Sequence, residues 1–233
     1  MSKNIYLIPT VLAPDTAAQV LPQEVIETIK HLDIFFVENI KTARRFISSL
    51  KLGKVIDELT FIILDKKTPF EEAYNQVLGL NGDAGIISEA GCPGIADPGA
   101  LVVEIAHQLN LKVIPLVGPS SILLTLMASG FNGQSFAFNG YLPIDKKERN
   151  QRIKELERLA FTTGQTQLFM ETPFRNESLF KAILEQCNPS TKLTVSIDLT
   201  APTAVSKTYS IQKWRELGVP QMHKIPAMFG FGK

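Results

Sequence analysis

Apolar runs rich in β-branched and aromatic residues recur along the first half of the chain. They lie at 4–8 (NIYLI), 33–37 (DIFFV), 60–64 (TFIIL), 84–88 (AGIIS) and 112–116 (KVIPL). Between most of them the apolar residues return with the period of a helix. Over 98–109, Leu101, Val102, Ile105, Ala106 and Leu109 make one stripe, with Glu104, His107 and Gln108 opposite. This alternation of strand and helix predicts βαβ units around a mostly parallel sheet.

The pattern changes after Pro119. A helix-like stretch over 120–129 leads into SFAFNGYLP (135–143) and then the charged segment DKKERNQRIKELERL (145–159). Further strands are predicted at 166–171, 192–198, 205–211 and 225–230, with a helix near 176–187. These strands follow one another more closely, which favours a mixed or antiparallel sheet. The prediction is therefore an α/β protein of two domains, 1–116 with a mostly parallel sheet and 117–233 with a mixed one. No internal repeat or low-complexity tract interrupts them.

A chain of 233 residues is long enough for such cores, and 45% hydrophobic with 20% charged residues is the composition of an ordinary globular protein. Lys+Arg 24 against Asp+Glu 23 leaves a net charge of +1. That balance argues against holding nucleic acid by bulk electrostatics, while leaving room for a local basic patch. Cys92 and Cys187 make neither a disulfide framework nor a CxxC site, and only His31, His107 and His223 could join them, so no metal is expected. The start MSKNIYLIPT lacks the apolar stretch of a secretory leader, and no apolar run approaches the ~20 residues that span a bilayer. The expectation is a cytoplasmic protein without a membrane partner.

The segment most suggestive of chemistry is ISEAGCPGIADPG (87–99). Asp97-Pro98, just before the helical stripe, reads as an N-cap followed by proline at the first helical position. Capping does not explain Glu89 to Gly94. Gly91 and Gly94 permit positive φ and close backbone approach, and Pro93 stiffens the path. Open α/β sheets bind ligands beside such loops at the carboxyl ends of strands. From the residues alone, ligand contact and a tight connection both remain open.

Other signatures are missing: no GxGxxG follows a strand, and there is no GxxxxGK[ST], Gly-x-Ser-x-Gly or His-Glu-x-x-His. Val117-Gly118-Pro119-Ser120-Ser121 reads as a helix start whose free N–H groups and hydroxyls could also hold a carboxylate or ribose. In Phe169-Met170-Glu171-Thr172-Pro173-Phe174-Arg175, Glu171 and Arg175 are placed to form an ion pair across a turn, and Met170 reads as core. The all-positive KTARR (Lys41 to Arg45) follows Glu38-Asn39 at a strand end and could meet a phosphate, or be a basic helix face. The stretch Lys146 to Arg158, with Glu148, Glu155 and Glu157 interleaved, reads as a solvated helix face.

Taken in order, IYLIPT (5–10), VEN (37–39), ISEAGCPGIADPG (87–99), VIPLVGPSS (113–121), FNGYLP (138–143), FMETPFR (169–175) and KIPAMFGFGK (224–233) resemble the tetrapyrrole methylase family. More narrowly, they resemble its branch of 16S ribosomal RNA cytidine 2′-O-methyltransferases. The resemblance implies two α/β domains with a cleft between them, a homodimer, and S-adenosylmethionine as cofactor. It implies a cofactor shell of Glu89, Ala90, Gly91, Cys92, Ile95, Ser120, Ser121, Met170, Pro226 and Ala227. Pro9, Thr10 and Lys41 fall on the acceptor side. Glu38, Glu89 and Asp97 are the carboxylates available as general base for a 2′-hydroxyl.

The match is looser on the acceptor side. The family's Pro-Ile-Gly-Asn-Leu reads Val11-Leu12-Ala13-Pro14-Asp15 here, and its Glu-Asp-Thr-Arg reads Glu38-Asn39-Ile40-Lys41. The resemblance thus implies rRNA methylation. Two alternatives are methylation of a small tetrapyrrole-like molecule and a member that binds cofactor or RNA without catalysis.

Overall fold

A computed structural model describes residues 3–65 and 67–233. The chain divides into two compact units, Met1–Ser120 and Ser121–Lys233.

The first unit runs β1 (Asn4–Ile8), α1 (Ala17–Val20), α2 (Gln23–His31), β2 (Ile34–Val37), α3 (Ile40–Ser49), β3 (Thr60–Ile63), α4 (Phe70–Leu78), β4 (Ala84–Ile87), α5 (Gly99–Gln108) and β5 (Lys112–Pro115). The strands form a sheet of order β3-β2-β4-β1-β5. Every neighbouring pair is parallel, as the strand and helix alternation requires. Because successive side chains on a strand point to opposite faces, each strand feeds two cores. Ile5, Phe36 and Ile86 pack with Ala73 and Val77 of α4 and Val102, Ile105 and Ala106 of α5. Ile8, Phe35, Val37 and Ile87 pack instead with Val25 and Ile29 of α2 and Ala43 and Ile47 of α3. Fully burying a side chain such as Phe36 contributes roughly 1.5–3 kcal/mol, so these two faces hold the unit together.

This layering positions the loops. The chain leaves β1 through α2 on one face and leaves the adjacent β4 through α5 on the other. Adjacent parallel strands whose connections part in this way open a crevice at their carboxyl ends.

The second unit runs α6 (Ser121–Ser129), β6 (Phe136–Tyr141), α7 (Lys146–Thr163), β7 (Thr166–Glu171), α8 (Asn176–Gln186), β8 (Lys192–Ile197), β9 (Val205–Ser210), α9 (Ile211–Leu217) and β10 (Ala227–Gly232). Its sheet has the order β6-β7-β10-β8-β9. β6 and β7 are parallel and the remaining pairs antiparallel, a mixed sheet. Its core is aromatic: Phe169 stacks on Phe229 at 5.9 Å, and Trp214 meets Phe180 edge-on at 5.4 Å. The buried indole N–H of Trp214 donates to the Leu193 carbonyl at 2.9 Å, so no polar atom of the ring is left unmatched.

Several boundaries differ from the sequence reading by a few residues, and three of them have local reasons. α7 runs on to Thr163 because Ala160 continues the buried stripe of Ile153 and Leu156, and it stops where Gly164 turns left-handed at φ 70°. The strand expected to reach 211 ends at Ser210, whose hydroxyl accepts from Lys213 N and starts α9. β10 begins at Ala227 rather than 225, because the Met222 and Ile225 carbonyls are held instead by the Asn176 side chain, at 2.7 and 2.6 Å. No helix among the described residues is long and apolar enough to cross a membrane.

Candidate functional site

In the first unit, the turns after β1, β4 and β5 are tied to one another. Thr10 N donates to the Gly91 carbonyl at 2.9 Å, and Thr10 Oγ1 to the Ser88 carbonyl at 3.3 Å. Ser88 Oγ returns to the Gly91 carbonyl at 3.2 Å. The third turn joins through Cys92, whose thiol lies 3.4 Å from the Pro119 carbonyl and 3.7 Å from that of Gly118. Burial first, and then the charge of Asp97, raise the Cys92 thiol above its usual value, which keeps it a proton donor to those carbonyls. Two glycines make the approach possible. Gly91 sits at φ 75°, and a side chain on Gly118 would place its Cβ 2.1 Å from Pro9 Cβ.

Thr10, Gly91 and Cys92, expected on sequence to face a ligand, therefore spend side-chain or backbone groups on the platform itself. Pro9 and Thr10 are buried, Thr10 only 3% exposed. The groups left facing outward are others from the same loops. Glu89 and Ala90 are exposed, Ile95 is 51% and Val117 72% exposed, and the space beside Gly94 is open.

The Asp97-Pro98 pair is displaced by one residue from its expected role. Pro98 is the N-cap and Gly99 the first residue of α5. Asp97 stands one position earlier, after Ala96 in a left-handed φ of 65°. From there Asp97 Oδ1 accepts from Gly94 N at 2.8 Å and Gly99 N at 2.7 Å, fixing loop and helix start together. Its second oxygen is buried with no hydrogen-bond partner among the described residues. Burial raises the Asp97 carboxyl above the usual range, although the two N–H bonds pull it down.

Asp97, Glu38 and Ser88 line one small recess with Phe36, Val37 and Gly99, at the ends of β2 and β4. Of the three candidate carboxylates, two thus share a recess while Glu89 lies on the exposed loop. Lys41 is exposed in the first turn of α3, where Asn39 Oδ1 accepts from Lys41 N at 2.9 Å. Nearby Arg44 is paired with Asp57, so part of the basic KTARR stretch is already neutralised.

In the second unit, Met170 and Ala227 sit at one end of adjacent strands. Met170 is opposite Met228, and Ala227 opposite Glu171. Met170 is half-buried, Pro226 exposed and Ala227 buried. The Glu171 side chain is only 1% exposed and holds Arg175 at 2.7 Å. The same Glu171 oxygen accepts Thr172 N at 2.6 Å, so the pair fixes the turn, as the sequence suggested. Ser120 and Ser121 are half-buried where the units join in sequence, Ser121 being the first residue of α6. Sequence reasoning missed Ser88 and Asn176, which stand among other polar residues in sequence (Ser88-Glu89 and Arg175-Asn176-Glu177) and are buried only in the fold. Among the described residues no cluster of three His, Cys, Asp or Glu side chains suits a metal ion.

A scan against profiles of known protein families finds no match. Individual relatives are more informative. The chain is 26% identical over 198 residues to a Buchnera aphidicola protein named ribosomal RNA small subunit methyltransferase I, covering 84% of this chain and 66% of that one. A Vibrio cholerae protein of the same name is 28% identical over 200 residues, covering 84% and 65%. This chain therefore spans just under two thirds of those relatives' length. Among solved structures, the methyltransferase CobJ superposes with a TM-score of 0.62 at 15% identity, over 100% of this chain and 95% of that one. Diphthine synthase gives 0.67 at 10% identity, over 100% and 90%. By sequence this chain is a homologue of proteins named ribosomal RNA small subunit methyltransferase I, and its fold is that of the tetrapyrrole methylases.

Proposed function

We propose that the protein is an S-adenosylmethionine-dependent methyltransferase that methylates small-subunit ribosomal RNA, at the 2′-oxygen of a cytidine. The observation that carries the reading is the platform formed by the turns after β1, β4 and β5, together with the names its relatives bear.

The residues fit the cofactor by their chemistry. Glu89 is an exposed carboxylate able to accept from ribose hydroxyls or an amino group, and Ile95 and Val117 offer apolar surface to a purine ring. Gly94 leaves open space where a side chain would stand, while its N–H is held by Asp97. The resemblance adds Ala90, Gly91, Cys92 and Ser120 on the first unit and, as a separate set, Ser121, Met170, Pro226 and Ala227 on the second. The Gly91 and Cys92 contributions come through the backbone, because the thiol is engaged elsewhere. When bound, the cofactor supplies a methyl group already activated on a sulfonium, so alignment does most of what the protein must do.

The hydroxyl's proton still needs an acceptor. Among the described residues Asp97 Oδ2 has no hydrogen-bond partner, and a carboxyl raised by burial is a better base than an ordinary one. Glu38 lines the same recess. Lys41, exposed beside it in sequence, suits an RNA phosphate. The reading also carries a homodimer, checked by sedimentation.

Calorimetry with S-adenosylmethionine tests the premise, and folded protein that binds none sinks the whole reading. Gly91→Val strains a backbone at φ 75° and crowds Leu12 and Pro119 O, at 3.2 and 3.3 Å. With about 1–3 kcal/mol of strain to relieve, the variant should bind cofactor about tenfold more weakly or worse. Tritiated methyl transfer to small ribosomal subunits from a strain lacking the protein tests the substrate. Cofactor binding without incorporation there would point to a small-molecule acceptor or to binding without catalysis.

A further inference from the structure

The mixed-sign stretch from Lys146 to Arg158 resolves in three dimensions into a positive stripe. On α7, Lys147, Gln151, Lys154 and Arg158 are spaced i, i+4, i+7 and i+11, which aligns them along one face. The opposite face is committed: Ile153, Leu156 and Ala160 are buried in the aromatic core. The acids around the stripe are engaged. Asp145 Oδ1 caps the helix through Lys147 N and Glu148 N, at 2.9 and 3.0 Å. Glu155 pairs with Arg152 at 2.6 Å, and Glu157 accepts from Asn188 N at 2.7 Å and from the Thr191 hydroxyl. Glu148 lies about 100° around the helix from Lys147. The side chains of Lys147, Lys154 and Arg158 enter no ion pair among the described residues.

Two further features lie near the start of the helix. Asp145, Lys146, Lys147, Asn150, Gln151 and Lys154 line an open depression along the first turns of α7, the one acid among them being the helix cap. Just before the helix, Tyr141 at the end of β6 is 52% exposed and Ile144 is 77% exposed.

We propose that this face of α7 tracks the backbone of a single RNA strand. The three cations span about 16 Å of helix and meet phosphates of the strand, the exposed Gln151 amide hydrogen-bonds a sugar or base edge, and exposed Tyr141, a few residues before the helix, is an aromatic surface on which a base could stack. Three cations alone hold an anionic membrane only weakly, and the apolar side of the helix that would strengthen such binding is buried in the core. The inference rests on the reading of RNA as substrate and adds where the strand lies.

The test is Lys147→Gln/Lys154→Gln/Arg158→Gln in the full chain. It is measured by fluorescence anisotropy with a fluorescein-labelled single-stranded RNA over a series of salt concentrations. Losing three phosphate contacts should weaken binding and lower the slope of log K against log salt by about 2. Circular dichroism and S-adenosylmethionine binding should match the parent, since all three side chains are on the surface. If the parent binds RNA and the triple variant binds it with unchanged affinity and slope, this surface is wrong and RNA as substrate stands. If the parent binds no RNA, both fall. Should the variant lose binding to phosphatidylserine vesicles but not to RNA, the partner is a lipid surface and the proposal is overturned.

Discussion

The two units are held together in opposite ways. In the first, the sheet is parallel throughout, each of its faces is covered by helices, and the turns at the strand ends are welded by backbone and hydroxyl contacts among Thr10, Ser88 and Gly91. In the second, the sheet is mixed and the core is a block of stacked aromatic rings. The acid and base at its turn neutralise each other. The comparison teaches where chemistry can be built. A parallel sheet collects its loops at one end, so polar groups from three turns are shared there. An antiparallel sheet divides its turns between two ends, and each turn must be satisfied locally.

The largest expected effect tests the aromatic half. Phe229→Ala removes a fully buried ring that stacks on Phe169, and should destabilise the second unit by about 3–5 kcal/mol. Hydrogen exchange should show the loss in β7, β8 and β10 while β1 and β4 stay protected. Equal loss in both sheets would mean that the two halves unfold as one.

A smaller effect tests the welded turns. Gly118→Val brings a Cβ to 2.1 Å from the rigid Pro9 ring and should cost about 1–3 kcal/mol. Exchange should then rise around Pro9–Thr10 and 88–92, and urea unfolding gives the magnitude. A variant as stable as the parent would show that the turns are not coupled.

The smallest concerns Asp97. Its folded carboxyl is raised by burial, so the folded state binds a proton more readily than the unfolded one. The charged group therefore costs stability at neutral pH, and the cost fades as pH falls through the folded value toward the unfolded one. Asp97→Asn keeps an oxygen for Gly94 N and Gly99 N, so the variant should be slightly more stable than the parent at pH 7. The difference between them, followed by urea unfolding, should shrink as the solution is acidified. A difference that grows instead would mean that the two N–H bonds outweigh desolvation.

How much could be read from residues alone follows the same division. The first sheet was legible because IFFV and AGII are continuous apolar runs between helical stripes. The platform was half legible. Glycine and proline marked the turns, but not that Cys92 reaches Pro119, because that contact joins residues 27 apart in sequence. The one-residue displacement of Asp97 comes beside Ala96 at positive φ, a conformation alanine does not advertise. On α7, the sequence showed mixed signs; which acids are spent depends on Asn188 and Thr191, far along the chain. On the acceptor side, Asn39 takes the place of an acid in the resembled motif, and here it caps α3.

The position of β10 has a consequence for the order of events during synthesis. It is the last element of its unit in chain order, yet it lies in the middle of the sheet between β7 and β8. The first unit has all five of its strands once Pro115 has emerged, and can fold while the ribosome is still working. The second unit must wait. Until Ala227–Gly232 arrives, β7 and β8 each present an unpaired edge beside exposed aromatic rings, the kind of surface that chaperones hold and that aggregation exploits.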